Sequence, residues 1–249
     1  MSNDIAYIYD GTFPGLMTAV FTAYERREKP YVIAEEDSLQ VIFGQQATHI
    51  ATQEDWAVRV EDGVRKKMGQ DGYYNIWTAF LSCDNDKATK IYRYIRLGMK
   101  LGMAVHDHIS HDDVLNILSM NKHTGGEAHL LTGFVRFSRM ENGVYYSKIS
   151  PKNNVLPIIM PHFADRFSDQ PMLVFDEVHH LAGVYDLKSW YLVEADELTL
   201  PDLAEDEKEW RAMWRKFYDT IGIKERANHK LRISHLPKRY WSNLTETLI

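Results

Sequence analysis

"TGFVRFSRMENGVYYSKI", residues 132–149, is where the character of the chain changes. Two runs rich in aromatic and β-branched residues flank Asn142–Gly143, and Asn-Gly between such runs is the strongest short-range hairpin signal. Downstream, "PMLVFDE", "LAGVYD" and "SWYLVEA" read as three further strands joined by short turns. Upstream, residues 54–129 carry helical patterns almost throughout. In "DKATKIYRYIRLGMKLGMAV", Ile91, Tyr94, Ile95, Gly98, Leu101, Gly102 and Val105 share one face, and Gly98 and Gly102 would admit a second helix closely. The expectation is an α+β protein: a mainly helical lobe over 1–129, and a small antiparallel sheet lobe flanked by helices over 130–249.

The ends follow the same logic. "AYIYDG" reads as a strand, then Thr12 caps a helix with Pro14 in its first turn and Phe13, Leu16, Met17, Val20 and Tyr24 at helical spacing. "SLQVIFG", residues 38–44, reads as a second short strand. "NNVLPIIMPHFADRF" looks helical, with Pro161 expected to break or kink it. "DEKEWRAMWRKFYDTI" is an amphipathic helix with Trp210, Met213, Trp214 and Phe217 on one face.

With 45% hydrophobic and 12% aromatic residues in 249, the chain is an ordered globular protein. Its apolar runs are far too short to cross a bilayer, and no secretory signal pattern is present, so a cytoplasmic protein is expected. The single cysteine, Cys83, excludes an internal disulfide and any multi-cysteine zinc or iron–sulfur site in this chain. Net charge is −6, against non-specific coating of nucleic acid. The distribution is uneven: Glu194–Glu209 holds eight acids and one lysine, whereas Lys224–Arg239 holds six cations and one glutamate. A local basic surface sets affinity for DNA whatever the overall balance.

Three groups of residues invite chemistry. "AVHDHISHDD", residues 104–113, concentrates histidines and aspartates, but Ser110 with Asp113 reads as a capping box and Asp112 suits a helix first turn. His106, Asp107 and His108 are then exposed connector residues, and no metal is expected. Glu127, His129, Arg136, His162, Arg166 and Asp176 would make a cluster for acid–base work or phosphate binding, if the fold brings them together. The competing reading is a set of structural ion pairs. In the tail, Lys224, Arg226, Lys230, Arg232, Lys238 and Arg239 would neutralise phosphates, and Tyr240 and Trp241 would stack on unpaired bases or plug the tail into the core. Walker, dinucleotide and serine–histidine motifs are lacking.

"IYDGTFPGLMTAVFTAYE", "YIRLGMKLG", "GEAHLLTGFVRFSRMENGVYYSKISPKNNVLPIIMPHFADRF" and "IGIKERANHKLRISHLPKRYWSNLTE" together resemble an uncharacterised bacterial family of DNA-metabolism proteins, its domain one of unknown function. The resemblance implies a link to a DNA-modification or repair radical-SAM protein; in some relatives a similar domain is joined to a uracil-DNA-glycosylase-like domain. It points to a DNA-associated accessory protein without a cofactor of its own, the iron–sulfur cluster and SAM residing in the partner. A nucleic-acid-processing enzyme built on the Glu/His/Arg/Asp cluster is the alternative.

Overall fold

Strand β1 (Ile5–Tyr9) runs into helix α1 (Phe13–Glu25) through a turn that Thr12 closes, its hydroxyl accepting the Gly15 N–H. Pro14 sits at the helix start, where its missing N–H is harmless. A computed structural model of the chain describes residues 5–36, 46–221 and 228–246. Two units follow from it, Met1–Thr124 and Gly125–Ile249.

In the first unit β1 is the centre of a parallel three-stranded sheet, flanked by β2 (Val32–Glu35) and β3 (Gln46–His49). The strand expected at 38–44 lies outside the described residues. Helix α2 (Glu54–Phe80) is broken at Gly69, whose φ of 75° only glycine adopts without strain. Helix α3 (Lys87–Leu101) presents the expected face: Ile91, Tyr94, Ile95 and Gly98 are buried, and the Met68 side chain of α2 occupies the space a side chain at Gly98 would need. Tyr7, Leu16, Met17, Val20, Ile33, Met68, Ile91 and Ile95 form the core. Five of them are Leu, Ile or Val, whose burial contributes roughly 1.5–3 kcal/mol each.

Residues Gly102–Asp107 form a 3-10 turn and helix α4 (Asp112–Phe134) follows. The capping side chain is His111 rather than Ser110: its Nδ1 accepts the Asp113 N–H at 3.2 Å. A residue directly before the first helical one reaches that donor, and Ser110 is one position too early. His106 is half-buried rather than exposed, its Nε2–H donating to the Met68 carbonyl at 2.8 Å, which fixes the ring's tautomer.

The second unit holds a five-stranded sheet in the order β4-β5-β6-β7-β8. β4 (Ser138–Arg139) and β5 (Tyr145–Ile149) make the hairpin around Asn142–Gly143, with Gly143 at φ 81°. The sheet is not wholly antiparallel. β5 pairs in parallel with β6 (Met172–Asp176), because α5 (Leu156–Arg166) returns the chain between them, as a parallel pair requires. β7 (Leu181–Tyr185) and β8 (Trp190–Glu194) complete it antiparallel. Pro161 does not break α5, for Leu156, Ile159, Met160 and Phe163 are buried on both sides of it. Phe137 meets Phe163 edge to face at 5.3 Å, tying the strand approach to the helix.

Helix α6 (Glu207–Ile221) keeps Trp210, Met213, Trp214 and Phe217 between 38% and 62% exposed. α7 (His229–His235) and a 3-10 turn (Lys238–Asn243) lead to the end of the described chain. No helix among the described residues is long and apolar enough to cross a membrane.

Candidate functional site

Glu127 lies on the stretch of α4 that belongs to the second unit and is only 6% exposed. Unpaired, a carboxylate there would cost several kcal/mol. It is paired by five donors. Oε1 accepts the Lys152 N–H at 2.9 Å, an Arg239 guanidinium N–H at 2.9 Å and the Tyr240 hydroxyl. Oε2 accepts the Asn153 N–H at 2.8 Å and the Asn153 side-chain amide at 2.6 Å.

The local fold explains the convergence. The segment between β5 and α5 turns back on itself, so consecutive amides at Lys152 and Asn153 point the same way, and the 3-10 turn delivers Tyr240 and Arg239. Burial pushes the Glu127 carboxyl up, but the Lys152, Tyr240 and Asn153 hydrogen bonds more than offset this and leave it below the usual carboxylate range. Burial, then the adjacent Glu127, drives the Tyr240 phenol upward. Both groups are held in one protonation state at neutral pH, an arrangement suited to anchoring the tail and unsuited to proton exchange.

The other five residues of the candidate cluster lie elsewhere in the unit, and among the described residues no hydrogen bond or ion pair joins any two of the six. Arg136 grips Glu246 through two bonds, 2.8 and 3.3 Å, and stands over the Trp214 ring at 5.3 Å. His129, His162 and Arg166 are exposed. The His162 ring packs edge-on to Phe163, and Arg166 lies over Phe167.

Asp176 ends β6 fully buried, with Oδ1 accepting the Val178 and His179 N–H groups at 3.0 and 3.2 Å. Its Oδ2 accepts Nδ1–H of His179 at 2.7 Å. His179 is 23% exposed, so a buried carboxylate orients an imidazole that keeps Nε2 for another partner. His179 was absent from the sequence-derived set; the D-x-x-H spacing within a turn between two strands was the signal.

The basic tail is less free than its composition suggests. Arg239 is committed to Glu127 and Tyr240, and Tyr240 is 2% exposed, a core plug. Arg232 lies 4.9 Å from the Trp241 ring centre and 5.7 Å from that of Tyr218, while the Trp241 indole donates to the Leu236 carbonyl at 2.9 Å. Lys230 and Lys238 are exposed, and Lys224 and Arg226 lie outside the described residues. At 104–113, as in the rest of the described residues, no group of three or more His, Cys, Asp or Glu is arranged to hold a metal ion.

No curated protein and no solved structure matches this chain. The model of a domain of unknown function, DUF4130, matches residues 85–246, a span that takes in Glu127, the Asp176–His179 pair and the whole basic tail. With the greater part of its length inside that match, the chain belongs to the DUF4130 family.

Proposed function

We propose that this protein is a DNA-associated accessory factor in repair or base modification, working beside a radical-SAM or glycosylase-type partner that performs the chemistry. The observation that carries the accessory reading is the saturation of Glu127. Five donors leave its carboxylate no role in proton transfer. The four apolar side chains standing out on α6 support the partner, since a contiguous exposed apolar stripe is a mark of protein contact. The basic tail supports the nucleic acid, and the nature of the partner rests on the family resemblance in the sequence.

One observation favours the alternative of a nucleic-acid-processing enzyme, namely the Asp176–His179 pair. Isolation of the native complex from its host separates the two readings. The accessory role predicts a co-purifying chain with an iron–sulfur cluster or a glycosylase activity, together with DNA recoverable for sequencing. Turnover of nucleic acid by the isolated protein, abolished in His179→Ala, would overturn it.

A further inference from the structure

At the C-terminal end of α1 a cavity of about 230 Å³ is lined by Tyr24, Arg27, Glu28, Lys29, Tyr92 and Arg96. Three of these are cations, and none of them forms an ion pair with a carboxylate among the described residues. The one carboxylate present, Glu28, accepts the Tyr7 hydroxyl. Arg96 is held against the Tyr92 ring, 5.5 Å from its centre. Tyr24 leaves 47% of its surface open.

The backbone adds an independent observation. The end of α1 is a Schellman closure: Glu28 N–H reaches the Ala23 carbonyl at 3.0 Å and Arg27 N–H the Tyr24 carbonyl at 3.2 Å. The Ala23 and Tyr24 carbonyls at this helix end are thus paired, and the three cations stand against the negative charge that remains at the helix C-terminus. The position past the cap in this motif needs a left-handed backbone and is usually glycine, yet here it is Arg27 at φ 56°. A strained, non-glycine residue at such a place is a pointer to function rather than to stability.

We infer that this cavity is a phosphate-binding site for a nucleic-acid strand, with Arg27, Lys29 and Arg96 contacting one backbone phosphate and Tyr24 stacking on a neighbouring base. Its volume is below the roughly 300–1,000 Å³ of pockets that enclose a whole small molecule, so it suits one charged group of a longer ligand. Guanidinium groups give the paired geometry phosphate prefers, and an open tyrosine ring accepts any base. The inference rests on the nucleic-acid association proposed above and adds a contact separate from the basic tail.

The test is fluorescence anisotropy of the full chain with a fluorescein-labelled single-stranded oligonucleotide across a salt series, comparing wild type, Arg27→Gly, Arg96→Ala and Tyr24→Ala. Arg27→Gly removes a cation while relieving the strained backbone. It should melt at the same or a higher temperature yet bind about tenfold more weakly, a loss equivalent to one charge-assisted hydrogen bond. With three cations on one phosphate, each arginine variant should lower the log–log salt slope by a fraction of the roughly 0.7 that one fully engaged phosphate contributes on a single strand. Tyr24→Ala should weaken binding with the slope unchanged. If the wild type binds and both arginine variants keep its affinity and slope, the pocket assignment is wrong and DNA association stands. If the wild type shows no binding even at low salt, both fall. Should Arg96→Ala fail to fold, Arg27→Gly alone decides.

Discussion

Tyr240 and Glu127 are 113 positions apart in sequence, and one hydroxyl joins them inside a protein core. Tyr240→Phe keeps the ring and removes that donor, so the carboxylate loses one of its partners. A urea titration should show a loss of about 1–3 kcal/mol with an unchanged slope. Glu127→Gln should cost more, about 2–4 kcal/mol, chiefly because an amide N–H would face the Asn153 donors that the carboxylate accepts; Arg239, 35% exposed, can turn to water once its counter-charge is gone. The pH dependence has a definite sign. The folded Glu127 carboxyl lies below its ordinary value, so its contribution is complete above the unfolded pKa of about 4.3 and is lost as pH falls through the folded pKa. The stability gap between wild type and Glu127→Gln should therefore narrow in acid. A gap that stays constant or widens would mean that the hydrogen bonds do not favour the charged form.

Helix α5 offers a test that touches no charged group. Pro161 lies inside the helix, exposed, and lacks the N–H that would bond the Pro157 carbonyl one turn back. Pro161→Ala restores that bond without altering the buried face, and should raise stability by roughly 1–3 kcal/mol in a thermal or urea melt. No gain would indicate that the prolyl ring makes compensating contacts. The same elements show what could be read from the sequence. The start of α1 was legible because Thr12 and Pro14 act on their own neighbours, and the β4–β5 hairpin because Asn142–Gly143 sets the turn by itself. β3, "QATH", has neither alternation nor apolar bias, and only its pairing with β1 makes it a strand. The parallel pairing of β5 and β6 is fixed by where α5 returns the chain, which no local pattern records. Glu127 is legible as a residue of interest and a core-plug role for Tyr240 is one of two readings open in the sequence, but that Arg239 and Tyr240 meet Glu127 is not legible, since nothing in the sequence connects positions 112 and 113 residues apart.

For the whole molecule the question is how a chain of net charge −6 meets a polyanion. Six cations in the tail suggest a broad contact, yet Arg239 is consumed by Glu127, and Arg232 lies against two aromatic rings. Among the described residues of that segment, Lys230 and Lys238 are the exposed lysines, and neither forms an ion pair. Each phosphate they engage adds about 0.7 to the salt slope on a single strand, so replacing both with alanine should lower the slope by about 1.4 and leave the melting temperature unchanged. Arg239→Ala should do the reverse: it strips a partner from a buried carboxylate, so stability drops before any effect on binding is seen. Trp241→Ala belongs with Arg239, since its indole holds the Leu236 carbonyl and supports Arg232, and it should lower the melting temperature. Salt-slope and melting measurements on these three variants sort the tail into binding and anchoring residues. A double lysine variant with an unaltered slope would remove Lys230 and Lys238 from the nucleic-acid contact and shift the weight of it to the pocket beside Arg27.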